Sequence, residues 1–125
     1  MQHDPAFKNL VEEIRPAIQE LTIADVQHKF QTGENFVFVD VREDHEWNKA
    51  RLPQAIHIGR GVLERDIANH IIDKDQQIIL YCGGGFRSAL AAFNLQKMGY
   101  TNVYSMDGGF RAWQENNFPI DNSSK

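Results

Sequence analysis

The chain has 125 residues, 42% hydrophobic and 24% charged, with a formal net charge of −4 and a single cysteine. That size fits one domain with a real core, and the acidic balance argues against nucleic acid or an anionic membrane as partner. A lone cysteine excludes an internal disulfide and a self-contained multi-cysteine metal site, and gives no sign of an oxidising compartment.

The stretch from Asp4 to Ile14 reads as a helix, broken near Arg15-Pro16 because proline sits badly inside one. Residues 1–17 are thus an N-terminal helical extension, and residues 18–121 a domain. These first residues are too polar for a secretory signal, and no apolar run nears the ~20 residues of a membrane span, so the cytoplasm is the expected location. A short strand follows at Ile18–Leu21. Thr22 is a fit N-cap for a helix that shows Ile23, Val26 and Phe30 on one face and closes near Gly33.

Phe36–Val39 is a continuous apolar run, as expected of a strand buried on both faces. It leads through Asp40-Val41-Arg42 to a short helix over Asp44–Lys49. Ala55–Ile58 is the next strand, and Val62–Ile71 a helix with Val62, Leu63, Ile67 and Ile71 toward the core. Ile78–Tyr81 is another buried strand. Ser88–Met98 reads as a helix carrying Leu90, Ala91, Phe93, Leu95 and Met98, with Gly99 to close it. Val103–Ser105 is the last strand, and Gly108-Gly109 opens a helix whose Phe110 and Trp113 belong to the core. From Asn122 onward the chain is polar and expected to fray. Short strands alternating with helices predict an α/β fold with a small, mainly parallel sheet flanked by helices. Ligands of such sheets bind beyond the carboxyl ends of the strands, which places Cys82 and Asp40–Arg42 as facing groups of one site.

Cys82 sits where an apolar strand meets Gly83, Gly84 and Gly85, with Phe86, Arg87 and Ser88 leading into the next helix. Glycines permit a tight loop, whose successive N–H groups converge as an anion nest. The following helix aims its positive end at the same point, and Arg87 adds a permanent cation. Partial positive charge there favours thiolate over thiol. The plain alternative, a buried structural cysteine beside a glycine turn, does not account for the triplet, the arginine and the strand-to-helix setting together.

Five stretches then carry a family resemblance: Val39-Asp40-Val41-Arg42-Glu43 with Glu46-Trp47; Leu52–Ile58; Leu80–Ser88; Met98–Tyr104; and Gly108-Gly109-Phe110-Arg111-Ala112-Trp113. In their order and spacing the chain resembles a rhodanese-like domain over about residues 20–120. The resemblance implies a sulfurtransferase of the thiosulfate type that needs no cofactor. Cys82 would be the nucleophile and persulfide carrier. The amides of Gly83, Gly84, Gly85, Phe86, Arg87 and Ser88 would hold the anionic sulfur and the donor's oxyanion, and Arg87 would bind or steer the donor. The implied partners are a small anionic sulfur donor and a cyanide or thiol acceptor, with a protein acceptor and a homodimer also compatible. Thiolate attack on sulfur requires no metal. Two departures concern the rim. Relatives often carry Gly-His-Ile-Pro-Gly-Ala where this chain has Ala50-Arg51-Leu52-Pro53-Gln54-Ala55, and His-Ile-Pro where it has His57-Ile58-Gly59. Arg51 and Arg60 are either extra cations near the donor or solvated arginines.

Other candidates read more plainly. Asp40 and Arg42 support the active loop, with a structural ion pair or helix cap as the favoured role. Glu43 and Glu46 read as a solvated helix face. Trp47 is either core or pocket wall. His28, His45, His57 and His70 show no ligand spacing, so no metal site is expected. A non-turnover sulfur carrier or partner-binding module is the alternative function. A phosphatase or arsenate reductase is a weaker one, since those loops are one residue longer than Cys82–Arg87 and the chain shows no general acid.

Overall fold

The computed structural model describes residues 3–122. The chain begins with α1 (Pro5–Ile14), capped by Asp4, whose carboxylate accepts from the Ala6 and Phe7 amides. A 3₁₀ turn at Arg15–Ala17 follows, at the proline that ends the helix. Next come β1 (Glu20–Leu21), α2 (Ile23–Thr32), β2 (Val37–Asp40), α3 (Asp44–Lys49), β3 (Ala50–Arg51) and β4 (Ile56–His57). The second half holds α4 (Leu63–His70), β5 (Ile78–Tyr81), α5 (Phe86–Lys97), β6 (Val103–Met106), α6 (Gly109–Glu115) and β7 (Asp121–Asn122). Among the described residues, no helix is long and apolar enough to cross a membrane.

Five strands form one parallel sheet in the order β1-β6-β5-β2-β4, with β5 at its centre. All four β5 residues are buried, which explains why that strand is apolar throughout. Alternation splits the core in two. Ile78, Leu80 and Cys82 join Leu63, Ile67, Ala91 and Leu95 on the face covered by α4 and α5. Ile79 and Tyr81 join Val26, Phe38, Leu52 and Trp113 on the other, where Phe30, Phe36, Phe110 and Phe118 pack around them. Trp113 is core as expected, and its Nε1 donates to the Pro119 carbonyl.

Local signals hold where they rest on caps. Thr22 and Asp25 form a reciprocal capping box on α2, and Gly33 closes that helix at φ +71°. Three expectations need correction. The helix after the glycine triplet starts at Phe86, not Ser88, because Gly85 at φ +101° already serves as its cap. Met98, expected in the core, is exposed beyond the end of that helix. Asn122 does not fray: β7 pairs antiparallel with β3, Asn122 opposite Ala50 and Asp121 opposite Arg51. Ser123 to Lys125, expected to fray as well, lie outside the described residues.

Candidate active site

Strand alternation decides where the sulfur of Cys82 points. Following β5 in register, it turns to the α5 face, beneath the first turn of that helix. The Gly85 and Ser88 amides donate to Sγ at 3.1 and 3.3 Å. Ser88 Oγ lies 3.6 Å from Sγ and 2.8 Å from Ser105 Oγ, so two buried hydroxyls complete the polar floor under the sulfur. The amides of Gly83, Gly84, Phe86 and Arg87 meet no protein acceptor among the described residues. A sulfur held by amides at a helix N-terminus, with further N–H groups beside it, is suited to negative charge.

The loop is pinned from a second side. Gly108 and Gly109 both take positive φ and bring the start of α6 against it. The Phe110 amide donates to the Cys82 carbonyl at 2.8 Å, and the Arg111 amide to that of Gly83 at 2.9 Å. Gly109 has no alternative here: a Cβ built on it would stand 2.4 Å from the Cys82 carbonyl oxygen. From a third side comes α1. The Phe86 ring lies 4.5 Å from His3 and 5.5 Å from Phe7, centroid to centroid, with the Arg15 guanidinium 5.6 Å away. His3, Phe7 and Arg15 therefore pack directly on the thiol loop at Phe86.

Arg87 does not stand free. Glu46 binds its guanidinium through two contacts, Nη1–Oε1 at 2.9 Å and Nη2–Oε2 at 3.3 Å. Burial disfavours the Arg87 charge, but the Glu46 hydrogen bond, with the charges of Cys82, Glu46 and Glu43, outweighs it and raises its basicity. Burial likewise works against the Glu46 carboxylate, yet Arg87 and the Glu43 amide hold it below the usual carboxylate range. Reading Glu46 as a solvated face is thus corrected: it ties α3 to α5 across 41 residues of sequence, a partnership no local pattern displays. Glu46 also accepts from the Glu43 amide, the one local signal of its inward turn.

Asp40 and Arg42 form the buried ion pair expected as their structural role. Asp40 accepts from the Arg42 amide, its Nε and its Nη2, the last at 2.8 Å. The Tyr81 hydroxyl donates to the same carboxylate at 2.6 Å and accepts from the Leu52 amide, while Arg42 reaches the Ala50 carbonyl. Burial, then the charge and hydrogen bond of Asp40, push the Tyr81 phenol up. The expectation that Asp40 faces Cys82 across one site is corrected. Asp40 pairs in register with Tyr81 and shares its face, so carboxylate and thiol lie on opposite sides of the sheet. Arg42 lies 4.4 Å over the Phe110 ring, bracing the segment from β2 to β3 against the start of α6.

The rim departures resolve unevenly. Arg51 stacks on Trp47 at 4.2 Å, and Arg60 binds Glu64, so neither reaches into the loop. Trp47 also stacks on His57 at 5.0 Å, so its half-buried ring packs against both His57 and Arg51. His45, His57 and His70 line a cleft of about 560 Å³, yet among the described residues no three acidic, histidine or cysteine groups are placed to hold a metal ion. Sequence reading missed Arg111 as a site residue. The exposed Arg111 guanidinium lies against Gly84, with Nη1 3.0 Å from where a Cβ on that glycine would stand.

A cysteine sulfur held by backbone amides at the mouth of a parallel sheet defines the class: a small α/β domain with its cysteine in a glycine loop at a helix N-terminus. The rhodanese-like domain profile matches residues 22–116, and the chain belongs to that family. It is 32% identical over 97 residues to the "Putative sulfurtransferase YtwF" of Bacillus subtilis, covering 78% of this chain and 91% of that one. It is 33% identical to the "Putative sulfur carrier protein YrkF" of the same organism over 78% of this chain, but spans only 51% of that protein. Among solved structures, RPA3614 of Rhodopseudomonas palustris, described as a protein of unknown function and possible tyrosine phosphatase, is 31% identical with a TM-score of 0.81, over 97% of this chain and 98% of that one. At the level of the family, the activity supported is sulfur transfer.

Proposed function

We propose that this chain is a sulfurtransferase in which Cys82 carries sulfur as a persulfide. The thiolate attacks the outer sulfur of a donor such as thiosulfate. An Sγ–S bond forms, the donor's S–S bond breaks, and sulfite leaves with the electron pair. A thiolate or cyanide then attacks the outer sulfur, takes it, and returns the electron pair to Cys82. The supporting observation is the pair of amides from Gly85 and Ser88 on Sγ at 3.1 and 3.3 Å. These donors are placed to hold negative charge on the attacking sulfur and on the persulfide anion after transfer. The open amides of Gly83, Gly84, Phe86 and Arg87 supply donors for the added sulfur and the donor's oxygens.

The test is intact-protein mass spectrometry after incubation with thiosulfate, wild type against Cys82→Ser. A gain of one sulfur atom, removed by cyanide and absent in the variant, supports the reading. No gain with thiosulfate, mercaptopyruvate or a glutathione persulfide would end it. Loading without multiple turnover would favour a carrier that hands sulfur to a protein partner, the reading to which the YrkF similarity points. Phosphatase chemistry fits less well: only four residues separate Cys82 from Arg87. Arg87 also gives its fork to Glu46 rather than to the space above the sulfur.

A further inference from the structure

Among the described residues, Arg15, Arg42, Arg87 and Arg111 lie on the thiol loop or against the residues that pack on it, and their partners differ. Arg42 is spent on Asp40 and buried. Arg15 is engaged with Glu20 and Glu12. Arg87 is held through both terminal nitrogens by Glu46, which the Glu43 amide fixes in place. Arg111 pairs with no carboxylate among the described residues, is exposed, and rests its guanidinium against Gly84. Gly83 and Gly84 are the partly exposed glycines of the loop, whereas Gly85 and Cys82 are buried. The Arg87 guanidinium, paired with Glu46, thus lies against Gly83, and that of Arg111, with no carboxylate partner among the described residues, against Gly84. The backbone of Arg111 is itself fixed to the loop through its hydrogen bond to the Gly83 carbonyl.

We propose that Arg111, and not Arg87, receives the anionic end of the sulfur donor, and that Glu46 makes this choice by occupying Arg87. The assignment rests on the sulfur-transfer reading and narrows it. The donors favoured carry a compact oxyanion beyond the transferable sulfur, held by one guanidinium and the loop amides. Arg111 is a donor-binding residue, and Glu46 a specificity-determining one that acts through Arg87. Absence of a side chain at Gly84 is part of the same device, because a Cβ there would press on the Arg111 guanidinium.

The experiment compares two donors that differ at the end Arg111 would bind. Thiosulfate carries a charged sulfonate group. Benzenethiosulfonate transfers the same sulfur but ends in an uncharged sulfonyl group, and releases benzenesulfinate. Steady-state kcat and KM are measured with cyanide for wild type, Arg111→Gln, Arg111→Lys, Glu46→Gln and Arg111→Gln/Glu46→Gln. Arg111→Gln should raise KM for thiosulfate about five- to tenfold, the size of one partly exposed charge-assisted contact, and change benzenethiosulfonate less than about twofold. Arg111→Lys should recover part of the loss, and the double variant most of it, because Arg87 is released to serve the donor. Equal losses on both donors for Arg111→Gln would overturn the assignment as a mere structural defect. So would an unchanged KM, or a double variant no better than Arg111→Gln. If no donor loads Cys82 of the wild-type protein, as read by mass, the sulfur-transfer reading falls and this assignment with it.

Discussion

Gly109→Ala is the sharpest test of how the loop is built, because the methyl group has nowhere to go. A Cβ at that position would lie 2.4 Å from the Cys82 carbonyl oxygen and 2.8 Å from that of Gly83, both backbone atoms that no side-chain rotation can clear. The residue also sits at φ +58°, where a non-glycine residue costs about 1–2 kcal/mol. Relieving the clash means pulling the start of α6 away from the loop, which stretches the Phe110–Cys82 and Arg111–Gly83 hydrogen bonds. Each is worth about 1 kcal/mol net, so the total comes to about 3–4 kcal/mol. Against a stability of roughly 5–15 kcal/mol, that is a large share. Gly61→Ala is the matched control, with open space around its Cβ and no positive φ. Urea unfolding of the two variants, followed by tryptophan fluorescence, reads the difference. A Gly109→Ala protein within about 1 kcal/mol of wild type would refute this account of the loop, since even the handedness term alone is that large.

Other expectations follow from the same contacts. Tyr81→Phe removes the hydroxyl that donates to Asp40 and accepts from Leu52, leaving a buried amide unpaired. It should cost about 1–3 kcal/mol in denaturant unfolding, with no cysteine chemistry to blame because Tyr81 faces away from Sγ. Phe7→Ala takes one ring off Phe86 in the thiol loop and should lower the unfolding midpoint, with hydrogen exchange accelerating at Ser88 and Ala89 in the first turn of α5. Unchanged exchange there would mean that α1 caps the core without steadying the loop. Glu46 titrates below the usual carboxylate range when folded, so the stability it contributes is present above the unfolded Glu value, near pH 4.5, and is lost as pH falls through the lower folded one. Glu46→Gln should therefore flatten the acid limb of the pH–stability curve, and an unaltered limb would contradict the Arg87 pairing.

What was legible in the sequence divides by range along the chain. Thr22 and Gly33 announce the ends of α2 through a cap box and a left-handed closing residue, because both signals act over three or four residues. The apolar runs of β2 and β5 announce buried parallel strands because each residue's surroundings are decided by the strand itself. Cys82, the glycine triplet and Ser88 belong to one strand–loop–helix unit, in which the Gly85 and Ser88 amides donate to the sulfur. The pairing of β3 with β7 escaped notice because each is two residues long and joins Ala50 to Asn122 across most of the chain.

The same division explains the misjudged side chains. Asp40 is the last residue of β2 and Cys82 the first after β5, so both sit at the carboxyl ends of parallel strands, which suggests a shared site. Register decides otherwise: Asp40 lies opposite Tyr81, one residue short of Cys82, and a shift of one residue reverses the face. Glu46 looked like one more carboxylate on an exposed helix because its partner arrives from α5. Arg111 looked like an ordinary residue of α6 because its neighbour, Gly84, is 27 positions away and offers no side chain to suggest a contact. Residues that build the cradle are thus written locally, whereas those that set the charge around it depend on how α3 and α6 close over the loop. A sequence with this loop can therefore be recognised as a sulfur-handling domain while its donor preference stays hidden. With Arg111 assigned to the donor, that preference turns on whether a carboxylate from α3 meets the loop arginine, and on what α6 lays across the second glycine.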